Sequence, residues 1–329
     1  MQVHKLDPAR IEEVVSVLQA AHGHDLPEDP AFAPRHEGLR ILHPTPDEPT
    51  SHWVAVDGGR VVGHAQLTTP ELDNTGGAMV ELTVHPDARR RGVGRLLWDH
   101  VTGLALSGGR KQIYFEARME SAGEHFARAV GAELGIYSAR RRLLVDDSVR
   151  HLAATLQMQA REHAARASAG YEVHSFVGAT PEEFVDGVAY LTGRMSTDAP
   201  LDDLVWEPEV YTVERVRGRE AAADKQGLVI YTTVAVDSTG AVAGFTNIGT
   251  TPENPTHGWQ WNTIVDPEHR GHRLGTWIKA TNLLQLLEFR PQLRTLLTWN
   301  AVSNDPMIAV NEAMGFRLWD HWGEWQARL

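Results

Sequence analysis

The stretch Val84-His85-Pro86-Asp87-Ala88-Arg89-Arg90-Arg91-Gly92-Val93-Gly94-Arg95-Leu96-Leu97 constrains this chain more than any other. At its head, Val80, Leu82 and Val84 alternate with other residues, the period of a half-buried strand. At its tail, Val93, Leu96, Leu97, Val101 and Leu104 recur at helical spacing. Gly92 and Gly94 leave the backbone bare, so a ligand can approach it closely. The amides of the helix start and the helix dipole both favour an anion there, and phosphate is the usual one. Three consecutive arginines add positive charge in a chain whose formal net charge is −12.

The pattern then repeats. Residues 53–56 and 60–68 read as strands around Asp57-Gly58-Gly59, and residues 229–236 and 242–250 flank Asp237-Ser238-Thr239-Gly240; both are hairpin signals. Arg270-Gly271-His272-Arg273-Leu274-Gly275 again follows a strand, 259–265, and precedes a helix carrying Trp277, Ile278, Leu284 and Leu287. Arg89 and Arg270, the two hairpins, and Gly131 and Gly315 sit at nearly one offset. Repetition of this length means two copies of one domain rather than a solenoid. The first copy reads β-α-(α)-β-β-β-α-β-α-β, with Asp7-Pro8 opening its first helix and a loop region with a short helix over 23–50. The second opens on a strand at 171–177 and the capping box Thr180-Pro181-Glu182-Glu183. Between them, residues 146–170 are polar and alanine-rich, with Leu152, Leu156 and Gln159 at helical spacing.

Arg89-x-x-Gly92-x-Gly94, set between a strand ending Val-x-Pro and an amphipathic helix, resembles the acyl-CoA pyrophosphate loop of the GNAT acyltransferase superfamily. The element order is also that of the GNAT fold. The chain is similar to the tandem GNAT acetyltransferases of actinobacteria and is mycothiol-synthase-like in architecture; its second loop departs from that type, so that activity is not implied. The resemblance implies an α/β protein with mixed sheets. Two GNAT domains, 1–147 and 171–329, would be joined by a helical linker at 148–170. It implies acetyl-CoA as acyl donor, no metal, and direct transfer to an amine in a ternary complex. Leu82, Thr83, Val84, Arg89, Arg90, Arg91, Gly92, Val93, Gly94 and Arg95 would bind the cofactor. A second candidate CoA site would comprise Ile264, Val265, Arg270, Gly271, His272, Arg273, Leu274, Gly275, Thr276 and Asn304.

Each half departs from the family. Its usual tyrosine, which protonates the departing thiolate, is replaced by Ala127 in the first half and Asn311 in the second. Glu120 holds the family's asparagine position in the first half; Asn304 keeps it in the second. Water or another residue can protonate a good leaving group, since general-acid help is worth about 10²–10⁴-fold. Arg273 stands where the first half has Gly92, which a helical dihedral would tolerate. A base is needed, because an ammonium of pKa roughly 10 has no lone pair to attack with. Glu81, on the strand face opposite Leu82 and Val84, is the candidate. Its counterpart Asn262 cannot be a base, so in the second half Asp198, Asp202 or Glu207 would serve. The rival class is a non-catalytic protein that binds acyl-CoA or an amine.

Composition narrows the partners. The acidic balance argues against nucleic acid and anionic membranes and favours a cationic acceptor, a small-molecule amine or a peptide. Acidic loops carry Asp25, Glu28, Asp29, Asp47 and Glu48 in the first half and Asp198, Asp202, Asp203, Glu207 and Glu209 in the second. With no cysteine there is no disulfide and no thiol nucleophile. His22-x-His24 and His269-x-x-His272 lack a third ligand, so no metal site is expected. The N-terminus has no apolar signal core, and a cytoplasmic monomer or homodimer is expected. Trp319, Trp322 and Trp325 read as core or interface aromatics, the alternative being a wall of the acceptor pocket.

Overall fold

The computed structural model describes residues 1–167 and 170–329; residues 168–169, within the expected linker, lie outside that description. The first copy runs β1 (Gln2–Lys5), α1 (Ile11–Asp25), α2 (Pro34–Leu42), β2 (Thr50–Asp57), β3 (Arg60–Thr68), β4 (Gly77–Val84), α3 (Val93–Ser107), β5 (Gln112–Arg118), α4 (Ala122–Ala129) and β6 (Glu133–Leu144). Local chemistry sets many of these limits. Asp7 accepts the amide of Ala9 with Pro8 at the first position, and Ser121 caps α4 by accepting from Gly123 and Glu124. Gly58 and Gly59 both have positive φ, as a two-residue hairpin turn requires. The loop region before β2 holds α2, whose Ile41 packs on Val14, Val17 and Val54.

The second copy runs α5 (Asp147–Ala164), β7 (Glu172–Val177), α6 (Glu182–Asp198), α7 (Val213–Lys225), β8 (Val229–Val236), β9 (Val242–Thr250), β10 (His257–Val265), α8 (Leu274–Phe289), β11 (Thr295–Ala301), α9 (Asp305–Ala313) and β12 (Arg317–Arg328). Apolar periodicity does not mark α7, a helix of Arg, Glu and Ala that buries only Arg215, Val216 and Ala222. The helix read as a linker, α5, belongs to the second unit. Its Val149 and Ala153 join Leu283, Leu286 and Leu287 of α8 in one core, and Ala160 and Ala164 join Leu274 and Trp277 in another.

The compact units are not consecutive segments. Unit 1 comprises Met1–Tyr137, Leu201–Glu207 and Trp322–Leu329; unit 2 comprises Ser138–Pro200 and Pro208–His321. In unit 1, β1, β2, β3 and β4 form an antiparallel run, and β4 pairs parallel with β5. The end of β12, Trp322 to Arg328, then pairs antiparallel with β5. In unit 2, β7, β8, β9 and β10 are antiparallel and β10 pairs parallel with β11. There the sixth strand is the end of β6, Ser138 to Leu144, against β11. The sequence division at 147 and 170 is a division of the repeat; the units exchange their closing strands. Trp325, 1 % exposed, is the exchanged side chain that fills the core of unit 1 beside Ala117 and Ala127.

Candidate active site

The parallel pair β4–β5 is joined only from Gly77 to Met79 against Gln112 to Tyr114. Beyond Met79 the two strands part, and the β5-facing edge of β4 at Leu82, Thr83 and Val84 is left to other partners, while its opposite edge pairs with β3. The loop that follows delivers the first turn of α3, whose amides have no acceptor within the helix. Gly92, the residue before α3, has φ +83° and open space around it. Gly94 is tighter: a Cβ there would meet the Phe126 ring at 3.3 Å.

The loop arginines divide into supports and one free cation. Arg89 donates from Nε to the Val84 carbonyl at 3.2 Å and from both Nη atoms to Asp25 at 2.7 and 2.6 Å. It therefore fastens the end of β4 to the last residue of α1. Burial works against the Asp25 charge, yet its bonds to Arg89 and His24 hold its pKa below the usual value. Arg91 pairs with Asp57 at 2.7 Å, and Arg95 donates to the Ala129 carbonyl at 2.8 Å. Arg90, exposed and at φ +61°, makes no ion pair among the described residues.

The second loop has the same build. Arg270 donates to the Val265 carbonyl at 3.1 Å and to Asp198 at 2.6 Å, tying the end of β10 to the last residue of α6. Its positive-φ positions, Gly271 at +85° and Arg273 at +58°, match Arg90 and Gly92 of the first loop, with glycine at the alternate place. The Arg273 dihedral is thus left-handed, not the helical one that would excuse a side chain there, and the position is strained. Leu274 is core, Gly275 and Thr276 lie in the first turn of α8, and His272 sits beside the Tyr171 ring at 5.6 Å. Ile264 and Val265 pack inward. Asn304 caps α9 by accepting from Met307 at 3.3 Å.

Glu81, the candidate base, is held in an ion pair. Arg40 of α2 grips both its oxygens at 3.0 and 2.9 Å, and Gln66 donates to one of them at 3.1 Å. Arg40 also donates to Glu37 at 3.1 Å. Although burial disfavours its charge, Glu81 and Glu37 more than offset that and raise the pKa of Arg40. Three acceptor positions of the Glu81 carboxylate are thus taken, two of them by a cation.

The residue that sequence reasoning missed is Glu116. Register places His52 opposite Gln66, Gln66 opposite Glu81, and Glu116 opposite Glu324. Glu81 and Glu116 each lie two residues past the last β4–β5 pair, on the same faces as Met79 and Tyr114. One polar row therefore crosses five strands of unit 1, with the parted strands in its middle. Burial first, then the like charges of Glu324 and Glu81, push the Glu116 carboxyl up to about 7. Glu116 is nonetheless exposed to solvent, while much of the protein lies around it. At the end of the row, His52 Nδ1 and His64 Nε2 meet at 3.1 Å. Burial and Arg40 lower His52 to about 4, and burial and His52 lower His64 to about 3, so the pair is neutral.

The alternation in Ile113, Phe115 and Ala117 does place Glu116 on the polar side of β5. Nothing in it could show that Glu324 would be its neighbour. In unit 2 the corresponding strand positions are Asn262 and Asn300, and Asn300 accepts from Asn311 at 2.6 Å. The carboxylates proposed for that half are otherwise engaged. Asp198 holds Arg270 and Arg194, while residues 201–207 belong to unit 1, where the Glu207 carboxylate accepts from the Asn74 amide at 3.2 Å. Among the described residues no group of three or more His, Asp or Glu is placed to hold a metal ion. Among the described residues no helix is long and apolar enough to cross a membrane.

Two parted parallel strands, each followed by a clamped loop and a helix start, define an acyl-CoA acyltransferase architecture present twice. The acetyltransferase (GNAT) family pattern matches residues 13–131 and 198–316, and the chain belongs to that family as a tandem acetyltransferase. It is 29% identical over 319 residues to a mycothiol acetyltransferase of Salinispora arenicola (strain CNS-205), covering 96% of this chain and 92% of that protein. It is also 29% identical over 306 residues to a mycothiol acetyltransferase of Mycobacterium sp. (strain JLS), covering 87% and 88%. Among solved structures it is similar to a tandem GNAT protein from the clavulanic acid biosynthesis pathway, with TM-score 0.78, 28% identity, and 99% and 98% of the two chains covered. A GCN5-related N-acetyltransferase from Sphaerobacter thermophilus shares the fold at TM-score 0.65 and 14% identity, covering 99% and 95%.

Proposed function

We propose that unit 1 transfers the acetyl group of acetyl-CoA to a primary amine on a cationic small molecule or peptide, directly and in a ternary complex. The observation that carries this reading is the polar row that crosses the parted strands, with Glu116 uncommitted and poised near neutrality. The similarity to mycothiol acetyltransferases supports acetyl transfer without fixing the acceptor.

The pyrophosphate rests on the amides of residues 92–95, with Arg90 as the free cation, and the pantetheine runs along the open edge of β4 from Val84 to Leu82. Arg89 positions the loop. The acceptor enters as an ammonium, drawn by Glu116 and Glu324. Glu116 takes its proton, and the freed nitrogen lone pair attacks the thioester carbon. A β4 amide steadies the oxyanion. The C–S bond then breaks as the nitrogen gives up its second proton, through water, to the departing thiolate, and Glu116 returns its own proton to solvent. Glu81 holds Arg40 and so fixes α2 over the row. Unit 2, with amides at the two carboxylate positions, binds a second CoA thioester at residues 264–276 without turning it over.

Free-thiol release from acetyl-CoA over a panel of polyamines, aminoglycosides, amino acids and peptides tests this. Cationic amines should be acetylated, with KM rising between low and physiological salt, where the screening length falls to about 8 Å. Glu116→Gln should lower kcat/KM by about 10²–10⁴-fold. Preference for acidic acceptors, or unimpaired turnover by Glu116→Gln, would refute it.

A further inference from the structure

Lys279 of α8 is a charged side chain the reaction leaves unused. It is 1 % exposed. Its Nζ reaches one hydrogen-bond acceptor, Thr263 Oγ1 at 3.4 Å, and lies 5.6 Å from the centre of the Phe316 ring. Among the described residues no carboxylate offsets it, and burial alone lowers its pKa to about 7. Trp98 holds the matching place in α3 of unit 1, packed edge-on against Phe115 and Phe126. An apolar residue therefore suits that site in this fold, and the lysine needs a reason.

The surroundings supply one. The β10–β11 pairing ends at Trp259 and Leu297, so Thr263 stands on β10 where the strands have parted. Phe316 follows α9, which packs on the far strand through the Asn311–Asn300 bond. A group near both Thr263 and Phe316 lies at the gap between the diverging strands. A second buried polar atom meets the same gap. Asn311, fully buried, gives its Nδ2 to Asn300 and leaves Oδ1 without a partner. Beside the parted strands, Lys279 is thus left with one long bond to a neutral hydroxyl and Asn311 with an unpaired Oδ1, and burying polar groups so poorly compensated is unfavourable.

We infer that the gap between β10 and β11 takes an acyl-CoA whose acyl chain ends in a carboxylate, and that this carboxylate pairs with the Lys279 ammonium. The inference rests on residues 264–276 being a second CoA loop. An acetyl group brings no charge and would leave the ammonium uncompensated. A carboxylate brings the missing counter-charge, and a charged pair inside protein is much stronger than one in water. Buried ammonium groups without a partner are otherwise replaced by apolar side chains at little cost.

Calorimetric titration of the full chain with CoA, acetyl-CoA, malonyl-CoA and succinyl-CoA, with and without Lys279→Met, tests this. In a Gly92→Val background the first loop is silenced and the second is read alone. One of the two carboxylated thioesters should bind at least tenfold more tightly than acetyl-CoA, and Lys279→Met should abolish that preference. Without ligand, Lys279→Met should fold and melt at or above the wild-type temperature, and it should lose the thermal shift that the preferred thioester gives wild type. Equal binding of all thioesters by both proteins overturns the inference and leaves the second loop standing. Absence of any CoA binding once Gly92 is replaced overturns both.

Discussion

Glu81 and Glu116 show how neighbours assign different chemistry to one residue type. Glu81 faces Arg40 and Gln66 and serves as an anchor; Glu116 faces Glu324 and Glu81 and is held near neutrality. The base form of Glu116 is the deprotonated one, so kcat/KM should fall as pH drops below about 7. In Glu116→Gln that limb should vanish, and the residual rate should climb only towards the pKa of the amine. A variant with the same low-pH limb as wild type would remove Glu116 from the mechanism. The stability consequence has a definite sign. A carboxyl whose folded pKa is raised from 4.5 to about 7 favours the fold at low pH and loses that contribution as pH rises through this window. Glu116→Gln should therefore gain stability relative to wild type above pH 7 and little below pH 4.5, as measured by denaturant titration at both ends.

At the scale of elements, the two loops are built alike, each with one glycine and one arginine at left-handed dihedrals. Each is clamped by an arginine that bridges a strand end to the last residue of an earlier helix, Arg89 to Asp25 of α1 and Arg270 to Asp198 of α6. The clamp places the amides, so Arg89→Ala and Asp25→Ala should weaken acetyl-CoA binding to a similar degree. In a double-mutant cycle on stability the pair should couple by about 1 kcal/mol, the modest figure expected for a partly exposed pair. Binding unchanged in both variants would mean the loop holds its shape without the clamp. Arg273 has the opposite status. It occupies a left-handed dihedral that costs an L-residue about 1–2 kcal/mol, and a Cβ-free residue relieves it. Arg273→Gly should raise the stability of unit 2 by roughly 1 kcal/mol, after allowance for glycine's greater unfolded-state freedom. Thermal denaturation checks this, and a lower melting temperature would show that the arginine makes compensating contacts.

At the scale of the molecule, neither repeat is self-sufficient. Unit 1 needs Trp322 to Arg328 from the end of the chain as its sixth strand, and with it Glu324, the carboxylate opposite Glu116. Unit 2 needs Ser138 to Leu144 from the first repeat. A chain ending at residue 321 should expose the edge of β5, lose the buried Trp325, and aggregate or become protease-sensitive within residues 1–137 while unit 2 stays resistant. A fragment of residues 1–147 should fail in the same way. Resistance of either truncated chain to limited proteolysis throughout unit 1 would show that the exchanged strand is dispensable. The amino-acid sequence by itself determined the repeat, the element order apart from α7, both loops and the family. Those rest on local periods, glycines and caps, which act over a few residues. It also placed Glu81 on the face that matters. Only the tertiary structure decided that Arg40 would claim Glu81, that Glu116 would meet Glu324, and that residues 201–207 would serve unit 1 rather than unit 2. A carboxylate's role depends on which charges lie within a few ångströms of it, and strand register and strand exchange bring those charges from positions far apart in the chain.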